Sequence, residues 1–317
     1  MPSKIPVLVL IGPTAVGKTA LSLELAERLG AEVVSADSRY LYRGLDIGTA
    51  KPTPAERARV PHHLVDVTTP DVPWTLPQVQ AAAVDAIHAI HARGRLPLVV
   101  GGTGQYIRAL VEGWEAPGGA PAPELRAELE AELARAGVGA LAERLHAVDP
   151  DSAAQIDLRN PRRVIRALEV ALTTGRSFVA QRRKNPPPFA VTQLGLSLPR
   201  PELYARIDAR VDAMLAAGLV AEVQALAARG YSWSLPALSA LGYRQIGAFL
   251  RGECALAEAV RLIKHDTRVF VRRQANWFRA DDPAIRWFDP VRGGSAAVET
   301  YARAALAAGA GSGAAVV

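Results

Sequence analysis

Gly12-Pro13-Thr14-Ala15-Val16-Gly17-Lys18-Thr19 fits the spacing G-x-x-x-x-G-K-[ST], in which backbone N–H groups wrap phosphate oxygens. Lys18 would add a point charge, the dipole of a following helix would add to it, and the Thr19 hydroxyl is placed to ligate Mg2+. The loop does not say whether it holds a triphosphate, a diphosphate leaving group, or each in turn. Within "SADSRYLYRGLDIGTAKP", residues 35–52, Asp37 is the only acid between Glu32 and Asp46. An aspartate there can ligate metal, cap a helix or accept a proton from a nucleophile. Near Mg2+ and a lysine its carboxylate should stay ionised. "GGTGQY" brings Gly101, Gly102, Gly104 and the Thr103 hydroxyl together where open α/β sheets bind ligands, with close packing as the alternative reading of the glycines. A phosphoryl-transferring NTPase usually ends an apolar strand in an aspartate for the metal. Here "LPLVVGG" ends without an acid, and Asp66 after "HHLV" is the nearest substitute.

The surrounding pattern supplies elements to position these groups. An apolar run over 5–11 predicts a buried strand, residues 12–17 a loop, and Lys18 to about Leu29 a helix closed by Gly30. "AEVVSA" predicts a second strand, "HHLVDV" a third, "TLPQVQAAAVDAIHAIHARG" a helix and "LPLVVGG" a fourth strand buried on both faces. Strands alternating with helices imply an α/β fold with a parallel sheet. After the Pro/Gly cluster "GWEAPGGAPAPE" the pattern turns helical over Glu124–Val148 and again from "NPRR" to about Thr173, followed by "QRRKNPPPFA", a stiff extended loop. "VTQLGLSLP" predicts one more strand returning to the sheet. Residues 201–280 are helical with glycines as punctuation, and "AALAAGAGSGAAVV" is expected to be a flexible tail.

Of the 317 residues half are hydrophobic, enough for a sizeable core in one large or two smaller domains. Cys254 is the single cysteine, which excludes an intramolecular disulfide or a multi-cysteine zinc site and fits a reducing compartment, so the cytoplasm is the expected location. "IPVLVLIG" is too short to span a bilayer, and no membrane association is expected. The net charge is +6, yet residues 159–279 carry 20 Lys and Arg against 8 Asp and Glu, so the remainder is acidic. A basic segment of this kind suggests a polyanion partner, nucleic acid being the commonest, against the plainer reading of solvated arginine-rich helix faces.

"GPTAVGKT", "SADS" followed by "YRGLDIGTAKP", "VGGTGQYIRAL", "NPRRVIRALEV" and "ALGYRQI" occur in an order that resembles the tRNA dimethylallyltransferase family over nearly the whole chain. The resemblance implies a P-loop NTPase-like, nucleotide- and ATP-binding type of core with a parallel sheet. Residues 1–114 and 197–317 would form this catalytic core and its C-terminal helical RNA-binding part. Residues 115–196 would be a helical insertion domain gripping the anticodon stem. The implied reaction moves the dimethylallyl group of dimethylallyl diphosphate to N6 of the adenosine 3′ of the tRNA anticodon, releasing diphosphate. In that reading Gly12 to Thr19 hold the diphosphate with Mg2+ on Thr19. Asp37 is the base, and Thr103 binds either the amine or a diphosphate oxygen. Arg210 reaches the diphosphate from the opposite side, with Arg206 as the other candidate and an i,i+4 surface pair as the bland one. Asp37, Ser38, Arg39 and Tyr40 would meet the flipped adenosine, Arg162, Arg163 and Arg166 the stem, and Gly242, Tyr243 and Arg244 the loop. Of "KHDTRVFVRRQANWFR", which faces either RNA or the core, Trp277 and Phe278 are expected in the core.

Two positions depart from the family pattern: Tyr40 stands where glutamine is common, and Gln105 where leucine is. Tyr40 would stack on a base where glutamine would hydrogen-bond, and Gln105 would sit beside the prenyl chain or under the glycine turn. No role is evident for Asp46 or Lys51. The lone cysteine points to the bacterial-type form without a zinc finger, and a monomer is the expected state. The rival readings are an isopentenyltransferase acting on free AMP, a P-loop small-molecule kinase, and an ATPase that switches RNA binding.

Overall fold

The structure is a computed structural model that describes residues 4–118, 122–185 and 188–311. The chain divides into two compact units, Met1–Val111 with Pro187–Val317, and Glu112–Pro186. The first begins with β1 (Ile5–Ile11), α1 (Lys18–Leu29), β2 (Ala31–Ser35), α2 (Pro54–Arg59), β3 (His62–His63), α3 (Leu76–Ala92), β4 (Leu96–Gly101) and α4 (Gly104–Glu112). The second unit holds β5 (Trp114–Glu115), α5 (Pro123–Val148), α6 (Pro150–Gln155), α7 (Pro161–Thr174) and β6 (Arg183–Lys184). The first unit then resumes with β7 (Phe189–Leu196), α8 (Arg200–Ala216), α9 (Leu219–Ala228), α10 (Tyr243–Leu250), α11 (Leu256–Ala275), β8 (Ile285–Phe288) and α12 (Gly294–Gly311).

Six strands form one all-parallel sheet in the order β3-β2-β4-β1-β7-β8. Because side chains alternate across a strand, β1 feeds both faces. Leu8 and Leu10 pack with α1, α8 and α12 through Leu21, Leu25, Leu203, Ile207 and Val298. Val7, Val9 and Ile11 pack with α3 and α4 through Val79, Ile87, Ile90, Ile107 and Leu110. A third cluster joins Tyr42 and Leu45 to Val223, Leu226, Ile246 and Ile263, so the stretch after Asp37 is built into the C-terminal helices. The helices of the second unit close on their own core of Leu129, Leu141, Leu145, Val164 and Leu168.

The parallel sheet and the helical second unit agree with the sequence reading, and four details differ. The expected insertion boundary at residue 196 falls ten residues late. Phe189–Leu196 pairs along the whole of β1, from Ile5↔Phe189 to Ile11↔Gly195, and belongs to the sheet. The third strand shrinks to His62–His63, because Leu64 (φ 61) and Asp66 (φ 58) take left-handed backbone and turn the chain away. β8 was not foreseen. The expected flexible tail is helical through Gly311, since its alanines favour helix and Val298 and Ala302 are buried on the sheet; residues 312–317 lie outside those described. In "QRRKNPPPFA", Arg183 and Lys184 pair with Glu115 and Trp114, while Pro186 and Pro187 lie outside the described residues.

Candidate active site

β2, β4 and β1 are neighbours, so their carboxyl ends bring Asp37, Gly102-Thr103 and the phosphate loop onto one crest of the sheet. The approach is close: a Cβ on Gly101 would stand 2.2 Å from the Ala36 carbonyl oxygen, so only glycine fits there. A pocket of about 450 Å³ opens on this crest, lined by Thr14, Lys18, Thr19, Asp37, Tyr40 and Gly102 from the sheet side. Arg206 and Arg210 of α8 and Phe270 and Gln274 of α11 line the rest, together with Ala20, Thr49 and Ala209.

The phosphate loop leads into α1 as the motif requires, with Gly17 at φ 108 and Ala15 at φ 65. Lys18 is folded back, its Nζ donating to the carbonyls of Gly12 (3.0 Å) and Pro13 (2.8 Å). Burial lowers its pKa to about 8; nearby Asp37 opposes this and Arg210 adds to it. Arg210 Nη1 lies 3.4 Å from Thr14 Oγ1 and Arg206 Nη1 3.5 Å from the Val16 carbonyl oxygen, so both guanidinium groups face the loop. Asp208 and Asp212, beside them on α8, pair instead with Arg268 and Lys264 of α11. Two cations four residues apart repel, and a lysine and two arginines around a cradle of N–H groups therefore suit a polyanion such as a diphosphate.

Asp37 lines the pocket, and its Oδ1 accepts from the Arg39 N–H (2.9 Å) in a local turn, which leaves the second oxygen for another partner. Thr103 Oγ1 accepts from the Ser38 N–H (3.1 Å), which ties the two strand ends together and leaves the hydroxyl proton for another acceptor. Asp37, Lys18, Thr19 and Arg210, all expected from the sequence, thus line one pocket, and Thr103, which does not line it, is tied to its edge through Ser38.

Other expectations change. Tyr243 is 0% exposed and its hydroxyl hydrogen-bonds Glu222 (2.5 Å), so it is a core residue and presents no surface to an RNA base. Burial first, and then the Glu222 carboxylate, push its pKa up. Gly242 is the non-helical residue preceding α10, and Arg244 is exposed but paired with Asp266 (2.7 Å). Tyr40 does not stand free for stacking: its hydroxyl donates to the Ala50 carbonyl (2.8 Å) and its ring walls the pocket. Burial is the main cause of its raised pKa. Arg39 turns away to the carbonyl of Pro236 (2.7 Å) and to Ser239. Gln105 is exposed, neither beside the pocket nor under the glycine turn. Asp66 is held by Lys51 (2.6 Å) and Arg57 (2.7 Å) and does not line the pocket, so it does not replace a metal-binding aspartate. In the second unit Arg162 and Arg163 are exposed in the first turn of α7, whereas Arg166 donates to the Pro117 carbonyl (3.1 Å).

Gln274, Phe270 and Glu222 are site or support residues that the sequence reading passed over. Gln274 was findable as an uncharged polar residue on the buried stripe Ala259, Ile263, Val271 of α11. Glu222 gave no comparable sign, because its partners are the N–H groups of Asp46, Ile47 and Gly48, some 175 residues away in the chain.

The profile of the IPP transferase family matches residues 40–281, and that of the isopentenyl transferases residues 5–64. A tRNA dimethylallyltransferase of Roseiflexus sp. (strain RS-1) is 54% identical over 87% of this chain and 90% of its own. The solved full-length tRNA isopentenylpyrophosphate transferase of Bacillus halodurans superposes with a TM-score of 0.73 at 38% identity, covering 97% of this chain and 98% of that one. A eukaryotic dimethylallyltransferase acting on tRNA gives a TM-score of 0.76 at 27% identity, over 90% of this chain and 74% of that one. With its phosphate loop, Asp37 and Thr103 gathered at one crest of a P-loop NTPase-like sheet, the chain belongs to the IPP transferase family, that of the tRNA dimethylallyltransferases.

Proposed function

We propose that the protein transfers the dimethylallyl group from dimethylallyl diphosphate to N6 of the adenosine 3′ of the anticodon in tRNA, releasing diphosphate. The observation that carries this is one pocket holding both a phosphate cradle flanked by three cations and a carboxylate at the adjacent strand end. The loop N–H groups, Lys18, Arg206 and Arg210 bind the diphosphate and stabilise the charge that grows as the allylic C–O bond breaks. The exocyclic amine attacks C1, and Asp37 takes its proton as the new C–N bond forms. The amine's lone pair is delocalised into the ring, so the attack depends on that proton leaving. The Thr103 hydroxyl, accepting from the Ser38 N–H, keeps its proton for the amine or a diphosphate oxygen.

The Thr19 hydroxyl and diphosphate oxygens fit Mg2+, which binds through phosphates and water more than through protein cages. Among the described residues no group of three His, Cys, Asp or Glu is placed to hold a metal. When bound, the ion neutralises charge on the leaving diphosphate.

The exposed Arg162 and Arg163 of α7 grip the anticodon stem, and Ser38 and Arg244 lie toward the loop. The second unit, with its basic helix start, favours tRNA over free AMP as acceptor. Among the described residues no single helix is long and apolar enough to cross a membrane, and the protein works as a cytoplasmic monomer in this reading. Radiolabelled dimethylallyl diphosphate is incubated with tRNA or with AMP, and ATP is tested in parallel. Label in the tRNA adenosine supports the proposal; label in AMP but not in tRNA, or phosphate release from ATP alone, refutes it.

A further inference from the structure

Beyond the last ladder pair of β1 and β4, Ile11↔Gly101, the phosphate loop and the β4–α4 turn are joined by one side chain. Gln274, 6% exposed, accepts through Oε1 from the Thr14 N–H (3.0 Å) and donates through Nε2 to the Gly102 carbonyl (3.0 Å). Both bonds require the same orientation of the amide. The fit leaves no slack, since a Cβ on Gly102 would stand 2.5 Å from Nε2. The next residue continues the line: Thr103 Oγ1 accepts from the Ser38 N–H (3.1 Å) and the Thr103 N–H donates to the Ala36 carbonyl (3.3 Å), on either side of Asp37. A buried amide on the apolar stripe of a helix is costly unless both ends are satisfied. Here it is satisfied by the two loops whose separation matters to the chemistry.

We infer that Gln274 is a positioning residue that holds the phosphate loop and the Asp37–Thr103 edge at the separation group transfer requires. The inference rests on the function proposed above. Gln274 lines the pocket, but both ends of its amide are taken up by the two loops, so it acts by setting where one stands relative to the other. Displacing reactants by about 1 Å can cost on the order of 10²-fold in rate. With the acceptor displaced but the cradle intact, the C–O bond still breaks and its electron pair leaves on diphosphate. Water then forms the new C–O bond and loses a proton to solvent, giving dimethylallyl alcohol.

The test uses Gln274→Met, of similar length but lacking both bonds, and Gln274→Asn, whose amide is too short to span both loops. Each is measured for tRNA prenylation, for the Kd of inorganic diphosphate, and for the ratio of dimethylallyl alcohol to prenylated tRNA. Expected are a kcat lowered by about 10- to 100-fold, a diphosphate Kd within about threefold of wild type, and an alcohol ratio raised about tenfold. A loss of activity matched by the loss of diphosphate affinity overturns the inference, because Gln274 would then only build the cradle. So does a proportional loss of both products, the mark of mere unfolding, and so does an unchanged kcat in both variants. Wild-type protein that fails to prenylate tRNA refutes the proposed function itself, whereas prenylation by wild type with indifferent variants refutes this inference alone.

Discussion

Lys18 carries the clearest consequence at the scale of single residues. Its ammonium is buried against its own loop carbonyls, so the charged form is disfavoured and its pKa falls from an ordinary 10.5 to about 8. The Lys18 contribution to affinity for inorganic diphosphate should therefore be steady below pH 8 and weaken as the pH rises through 8, by up to about tenfold per pH unit. Calorimetry from pH 6.5 to 9.5 checks this, with Lys18→Met giving weaker binding and only the ligand's own titration. The sign for stability is opposite. Between pH 8 and 10.5 the unfolded chain holds more protons at this site than the folded one, so the free protein gains stability with pH from Lys18 in that window. Asp37→Asn should lower kcat by about 10²- to 10⁴-fold while diphosphate affinity is retained, read from single-turnover prenylation and a binding isotherm. Asp37, Thr103 and the phosphate loop were legible in the sequence because spacing after a strand fixes where such groups stand. The roles of Tyr40 and Tyr243 were not, because each is set by a partner across a turn or remote in sequence, Ala50 and Glu222; Gln274 could be found as a polar break in an apolar stripe, but not its partners Thr14 and Gly102.

At the scale of elements, the stretch after Asp37 explains the two residues for which the sequence offered no role. Lys51 is buried and its Nζ meets the Asp46 carboxylate (2.6 Å), the Asp66 carboxylate (2.6 Å) and the Tyr42 carbonyl (2.7 Å). The Glu222 carboxylate at the start of α9 collects the N–H groups of Asp46 (3.0 Å), Ile47 (2.7 Å) and Gly48 (3.1 Å). Together they fasten "DIGTAK" between the β3 turn and the C-terminal helices, and so fix the base of the loop that carries Asp37 and Tyr40. Lys51→Met should cost about 2–3 kcal/mol, because it leaves the Asp46 carboxylate without its cation and Asp66 with Arg57 alone, and adding Asp46→Asn should restore part of it. Urea unfolding of the single and double variants checks both. β1, β2, β4, α1 and α3 were readable from their periodicity. β8 was not, because Ile285–Phe288 is four residues flanked by Asp and Pro at a sheet edge, and its strand character comes from pairing with β7.

The division of labour in the whole molecule follows from two separate cores. Glu112–Pro186 buries its own Leu129, Leu141, Leu145, Val164 and Leu168, and the sheet unit is complete without it. The two ends of the second unit also lie side by side: Trp114 pairs with Lys184, Glu115 with Arg183, and the Asn185 N–H donates to the Gly113 carbonyl (2.9 Å). That ladder allows residues 116–182 to be replaced by a glycine-rich turn of about four residues without pulling β4 and β7 apart. The shortened protein should melt cooperatively and bind diphosphate within about twofold of wild type. Its tRNA affinity should fall at least about tenfold, with a shallower dependence on salt, because the arginines proposed to meet RNA phosphates have gone. In the full chain, Arg162→Glu with Arg163→Glu should reduce the slope of log Kd against log salt by about two, one for each arginine withdrawn from a phosphate. Filter binding of tRNA over a salt series measures both. Undiminished tRNA affinity in the shortened protein would move the RNA grip to the sheet unit, where the exposed arginines of α11, Arg272 and Arg273, would be the next surface to change.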